Sequence, residues 1–321
     1  MNRYLNLSKK MLYKLNKFVV LLYISVLLGL LCSCTGLSIF SEENNSSSLL
    51  PQPIPNDGIK YTATVTLYYR FMDTEYLAPL DIDIDMLSNE RPEVALLRAL
   101  FSGKGEGVLF NNAIPDNVEL VSIVESGNTL FITLSKELIN STNYDNCSIS
   151  VAVSQIVNTI TKYSNKTVQI MIDREGNGSG DRVSYTDLGF DKSFDKLYDY
   201  AAPFSFLKKT VITPSLTLNY VLSELNLSNS GELAPVFAAN SRKYSITSSD
   251  IYRFTNKYHI KSFKIINEIV HDEFAEIQCS IKYESKETKE IHEFEGIIEM
   301  PCYGRIYKIP YEQIVDSAGG M

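Results

Sequence analysis

Residues 148–173 read SISVAVSQIVNTITKYSNKTVQIMID. Two periods follow one another in this stretch. Val151, Ile156, Ile160 and Tyr163 fall roughly on one side at 3.6 residues per turn, so Ser148 to Tyr163 is predicted helical. Val168 to Ile172 is apolar and β-rich and reads as a closing strand. The same alternation of strand and helix extends upstream. Thr62 to Arg70, TATVTLYYR, is dominated by β-branched and aromatic residues and reads as a strand. Tyr76 to Asp85 alternates weakly and is placed to pair with it. Glu90 to Phe101 reads as a helix, with Pro92 in its first turn, a stripe of Val94, Leu97 and Phe101 widened by Leu100, and Gly103 as a stop. Val118 to Glu125 and Thr129 to Leu134 are strands joined by Ser126-Gly127-Asn128, a hairpin signature. The predicted order β-β-α-β-β-α-β gives an α+β unit, two helices covering one face of a small mixed sheet.

Residues 174–189, REGNGSGDRVSYTDLG, are polar and Gly-rich and make the best boundary. Phe190 to Phe206 has no clear period. Thr213-Pro214 reads as an N-cap followed by Pro at the first helical position, with Leu218, Val221, Leu222 and Leu225 as the apolar face. Ser230 to Ala239 is a candidate second helix. Ser249 or Asp250 is expected to cap a third that carries Ile251, Phe254 and Tyr258. Ser262 to Val270, Phe274 to Glu284 and Ile291 to Met300 read as long strands, with a short edge strand at Arg305 to Ile309. Helices followed by antiparallel strands is again α+β.

The first 33 residues have a different character. Arg3, Lys9, Lys10, Lys14 and Lys17 precede the apolar run Phe18 to Leu31, and no acidic residue occurs before Glu42. That order is an export signal, and the run is short for a spanning helix, which needs roughly 20 apolar residues. An uncleaved N-terminal anchor helix is the competing reading. The ending Leu31-Cys32-Ser33-Cys34 resembles a bacterial lipobox, which implies cleavage before Cys34 and acylation of that residue, and so a chain held at the extracytoplasmic side of the cell membrane. Cys32 at −2 departs from the commonest pattern. Residues 35–58 are Ser-, Asn- and Pro-rich and read as a flexible tether.

Removing residues 1–33 leaves 25 of the 30 basic residues against all 38 acidic ones, a net charge of −13. Such a body repels polyanions, which argues against nucleic acid as a partner. Four cysteines remain, Cys34, Cys147, Cys279 and Cys302. Cys279 and Cys302 fall in predicted strands and could pair, although buried unpaired thiols are the simpler state.

The ordered pieces TVTLYY (64–69), Glu75-Tyr76-Leu77-Ala78-Pro79, the Glu93–Leu100 helix, Ala113-Ile114-Pro115 before Val118-Glu119-Leu120, Leu130 to Ser135, Gln155-Ile156-Val157-Asn158-Thr159-Ile160 and Val168 to Asp173 resemble the GerM family, the sporulation and spore-germination domain of bacterial envelope lipoproteins. The resemblance implies a membrane-attached, non-enzymatic protein of a spore-former that works by protein–protein assembly at the envelope, with other envelope or sporulation proteins as partners and peptidoglycan as a further contact. It brings no catalytic residue and no cofactor. The expected organisation is a signal peptide at 1–33, a lipidated Cys34 and tether at 34–59, a GerM-like domain at 60–175, a linker at 176–189, a second α+β domain at 190–316 and a tail at 317–321. Some family members carry the domain twice, but no second QIVNT-like motif occurs in 190–316. That half faintly resembles the nuclear-transport-factor-2-like cone, whose cavity would make a ligand-binding lipoprotein the alternative function. A cell-wall glycan hydrolase is a more distant one.

Gln155, Asn158 and Tyr69 are the candidate partner-binding residues: two amides on the most motif-like helix, and an aromatic on an opening strand that reads as a potential sheet edge beside Tyr68 and Phe71. Internal capping and core packing are the competing readings. Asp81, Asp83 and Asp85 have calcium-loop spacing but hold Met86 and Pro92 where Gly and Glu are needed, so they read as the solvated face of a strand with Ile82 and Ile84 inward. Asp173, Glu175, Asn177, Gly178, Ser179 and Asp181 fit that template better but end on Ser184, and a polar linker is the simpler account. His259, His271 and His292 lack zinc spacing, so no metal is expected. GxSxG is missing, and no local partner supports Cys302 as a nucleophile. Glu268, Glu276 and Glu299 are the carboxylates to inspect for glycoside chemistry.

Overall fold

β1 (Lys60–Phe71) changes character along its length in the computed structural model. Its first half alternates and is exposed, while every residue from Thr66 to Met72 is buried. The structure describes residues 58–319 except 104–106, 141–147, 194, 196–198 and 242–243. The lipidation expected at Cys34, the signal, most of the tether and Cys147 lie outside the described residues.

β1 pairs antiparallel with β2 (Leu77–Leu87) from Lys60↔Leu87 to Arg70↔Leu77, and its inner end pairs with β3 (Phe110–Asn111). α1 (Pro92–Ser102), with Pro92 at its start, packs on β2. β4 (Leu120–Ser126) and β5 (Thr129–Ser135) form a hairpin turning on Gly127, whose φ of +58° suits a residue without Cβ. α2 (Ile149–Thr161) then carries the chain to β6 (Thr167–Asp173), parallel to β5, and β7 (Asp181–Arg182) adds an antiparallel edge.

The fold is α+β as expected, but there are two sheets here, β2-β1-β3 and β4-β5-β6-β7, in place of one small mixed sheet. The reason lies in α2. Every residue from Val151 to Ile160 is buried, polar ones included, so this helix is enclosed all round. One sheet covers one face of a helix, and a helix buried on all sides needs more neighbours. β1, β6 and α1 all pack on α2. The helix ends before Tyr163, which is exposed.

The stretch expected to be a linker, 176–189, contributes β7 and the buried Val183 and Leu188. The chain continues along the same face. Ala201 N–H donates to Val183 C=O at 2.8 Å, and Phe204 exchanges backbone bonds with Val168. Hydrophobic spacing inside a polar stretch is easily overlooked when only two apolar residues carry it.

α3 (Pro214–Glu224) starts as its sequence predicts, the Thr213 hydroxyl accepting from Leu216 N–H. Residues 230–236 form a 3₁₀ helix interrupted by Pro235, leading to β8 (Phe237–Ala238). α4 (Ser248–Lys257) is capped by Thr247, not by Ser249 or Asp250. Thr247 and Asp250 form a capping box, which explains why Asp250 carried part of the signal. β9 (Tyr258–Val270), β10 (Phe274–Ser285) and β11 (Ile291–Tyr303) form an antiparallel meander extended by β12 (Ile306–Tyr307). β13 (Ile309–Pro310) pairs with β8, and α5 (Tyr311–Ser317) closes the chain. The inner face of the meander is filled by Ile277, Cys279, Ile281, Tyr283, Ile298 and Met300, all fully buried. These side chains and those of the first half form one buried cluster running from Val65 to Ala318.

Candidate functional site

Gln155 and Asn158 sit one turn apart on α2, and both are fully buried. Gln155 Oε1 accepts from Ala113 N–H and its Nε2 donates to Asn112 Oδ1, both at 2.9 Å. Asn112 in turn donates to the C=O groups of Leu100 and Gly103, so Gln155 also secures the end of α1. Asn158 Oδ1 accepts from Leu207 N–H at 2.7 Å, and its Nδ2 donates to Leu207 C=O and Thr210 Oγ1. Each amide thus acts as a short piece of strand for a passing loop. The expectation that they contact a partner gives way to a structural role, because every polar atom of either side chain is engaged inside the fold.

Tyr69 is 1% exposed. A Cβ on Gly103 would come within 2.2 Å of its hydroxyl, so this phenol fills space that only glycine leaves open. Tyr68 and Phe71 are also buried, packing edge-on against Phe206 and Tyr220. The expected open edge of β1 is covered as well. Beyond β3, the outward N–H groups of Thr66 and Tyr68 donate to the Tyr163 hydroxyl and to Thr159 Oγ1. In the sequence Tyr163 falls on the apolar side of the helix and Thr159 within the motif, and neither pattern gives this bonding role. Their polar groups, four residues apart at the end of α2 and just beyond it, were the available signal.

Asp81, Asp83 and Asp85 form an exposed row on β2, and the register sets each opposite a threonine of β1. Thr66 and Thr64 donate to Asp81 and Asp83 at 2.6 Å, and Thr62 to Asp85 at 3.3 Å. Arg305 donates to Asp81 and Lys60 pairs with Asp85. Asp173 is buried at the end of β6. Its carboxylate accepts from Gly178, Gly176 and Asn177 N–H, and those bonds hold it below the usual carboxylate range against the opposing effect of burial. The oxygens a calcium ion would use therefore close the loop themselves.

His271 stacks on Phe274 in the β9–β10 turn, and His292 packs edge-on to Tyr258. Glu268 accepts from Ser215 N–H at the start of α3. Glu276 and Glu299 face one another across β10 and β11, on the face opposite the buried Ile277 and Ile298. Cys279 and Cys302 are free thiols, and burial pushes Cys279 up to about 11. Among the described residues no group of three or more His, Cys, Asp or Glu side chains could hold a metal ion, and no helix is long and apolar enough to cross a membrane.

The first half is thus an α+β domain whose polar motif residues Gln155 and Asn158 are consumed in building the fold. Residues 66–176 match the Germane family model, described as sporulation and spore germination, so this segment is a domain of that family. Two solved structures are similar over 36% of the chain. One is the tandem GerMN domains of the sporulation protein GerM from Bacillus subtilis, 15% identical with a TM-score of 0.28. The other, from Clostridium perfringens and described as a lipoprotein, is 20% identical with a TM-score of 0.23. The chain spans 40% of the length of the first and 76% of the second. TM-scores this low say nothing about function. No curated protein matches the chain.

Proposed function

We propose that the protein is a non-enzymatic envelope lipoprotein of a spore-forming bacterium, anchored through Cys34 on the extracytoplasmic side of the cell membrane. It acts in sporulation or spore germination by assembling with other envelope or sporulation proteins, with peptidoglycan as a further contact. The family match over 66–176 is the observation that carries this reading. The lipobox-like ending at Cys34 and the acidic body supply the location and argue against nucleic acid as partner. The motif residues of α2 fit a scaffold, since their side-chain amides are spent on bonds inside the fold.

The test has two arms in the native host. A deletion strain is expected to show fewer heat-resistant spores or slower germination, and wild-type counts and kinetics would reject the sporulation reading. In the same strain background, C34A is expected to abolish incorporation of labelled palmitate and release the protein from the membrane fraction. Labelling that persists in C34A would reject the anchor.

A further inference from the structure

The hairpin of β11 and β12 turns at Gly304-Arg305 and brings Lys308 back alongside Tyr303, its backbone N–H donating to Pro301 C=O. The Lys308 ammonium lies 5.8 Å from the Tyr303 ring centroid. Two clefts meet at this pair of side chains. One, of about 270 Å³, is walled by Leu80, Leu109, Phe110 and Ile306. The other, of about 200 Å³, is walled by Pro235, Phe237 and Ile246.

Charge is unevenly settled here. Arg305, the other cation of the larger cleft, is taken by Asp81. Lys308 makes no ion pair, and its ammonium no hydrogen bond, with any described residue. Burial alone lowers its pKa, as expected for a cation in apolar surroundings without a counter-charge. A half-buried ammonium of this kind is stabilised by an anion, and the walls around it favour an apolar group attached to that anion. Both clefts are smaller than the roughly 300–1,000 Å³ of drug-sized ligand sites, which restricts the occupant to a small molecule with a chain of about six carbons.

We propose that Lys308 binds the carboxylate of a short alkyl carboxylic acid whose chain lies in the Leu80–Phe110–Ile306 cleft. The site borrows Leu80, Leu109 and Phe110 from the Germane segment but does not depend on the assembly role proposed for that segment. One positive charge selects a monoanion, and the Arg305–Asp81 pair closes one end of the cleft without competing for the ligand.

The full chain is treated with a limiting amount of acetic anhydride, and acetylation is read peptide by peptide. Hexanoate is expected to slow acetylation of Lys308 at least fivefold and to leave the exposed Lys208 and Lys209 unchanged, whereas 1-hexanol and inorganic phosphate protect nothing. Equal protection of all lysines, or equal protection by phosphate, overturns the proposal. Saturation-transfer NMR with hexanoate provides a second readout: K308R is expected to keep the signal and K308M to lose it. A K308M signal equal to wild type, with the variant's thermal unfolding unchanged, also overturns it.

Discussion

Arg305 Nε lies 2.9 Å from both carboxylate oxygens of Asp81, a residue 224 positions earlier. The contact joins the β11–β12 hairpin to the outer face of β2, so a carboxylate that looked like a solvated strand residue ties together the two halves of the chain.

Both side chains of this pair are more than 40% exposed, so R305M is expected to lower unfolding free energy by no more than about 1 kcal/mol at neutral pH. Burial opposes ionisation of Asp81, but the Thr66 hydroxyl and Arg305 outweigh it and hold its pKa below the ordinary 3.8. A depressed carboxylate contributes stability that is present above its unfolded pKa and lost as pH falls through the folded one. The gap between wild type and R305M in urea melts should therefore be full at pH 6 and close below the ordinary carboxylate range.

N158A removes the partners of Leu207 N–H, Leu207 C=O and Thr210 Oγ1 in a fully buried place. Leaving a buried donor unsatisfied costs about 1–3 kcal/mol, and a loss in that range is expected in denaturant titration. A loss of binding to an envelope partner with unchanged stability would instead restore a contact role for Asn158.

Gly189 and Gly127 both have positive φ, +74° and +58°. A Cβ on Gly189 would lie 2.7 Å from Ser150 N at the start of α2, whereas nothing stands within 4 Å of one on Gly127. G127A should cost about 1–2 kcal/mol from the left-handed backbone alone. G189A should cost clearly more, because backbone must also move. Equal melting temperatures for the two variants would contradict this account.

Calorimetry with calcium at millimolar concentration should give no binding heat at the Asp173 loop, whose carboxylate already accepts three backbone N–H groups. D173N should destabilise the protein at neutral pH, and the difference should fade as pH drops through the depressed folded-state pKa of Asp173.

The Cys279 thiol, fully buried and pushed up to about 11, should resist alkylation in the native protein and react only on unfolding. Cys302 is partly exposed and should react first. Peptide-resolved mass spectrometry after timed iodoacetamide treatment separates the two.

Much of the architecture was legible along the chain. Thr213-Pro214, the Gly127 hairpin and the alternation of Asp81 to Asp85 rest on interactions within a few residues, and each stands where local period and turn chemistry put it. The misplaced α4 cap is a near miss of the same local kind, since Thr247 and Asp250 act as a pair. The candidate site was less legible. A polar residue on an apolar helix has two readings, and composition does not choose between them.

The sequence alone determined the α+β class, the family of residues 66–176 and the acidic balance, because hydrophobic period, ordered motifs and charge are properties of neighbouring residues and of sums. Only the tertiary structure decided that α2 is enclosed by two sheets, that Gln155, Asn158 and Tyr69 face inward, and that Arg305 meets Asp81 while Lys308 finds no counter-charge among the described residues. Those outcomes depend on loops such as 112–113 and 207–210 and on the β11–β12 hairpin arriving from dozens to hundreds of residues away. Whether a polar atom is spent or available is fixed by such arrivals, and no local pattern records them.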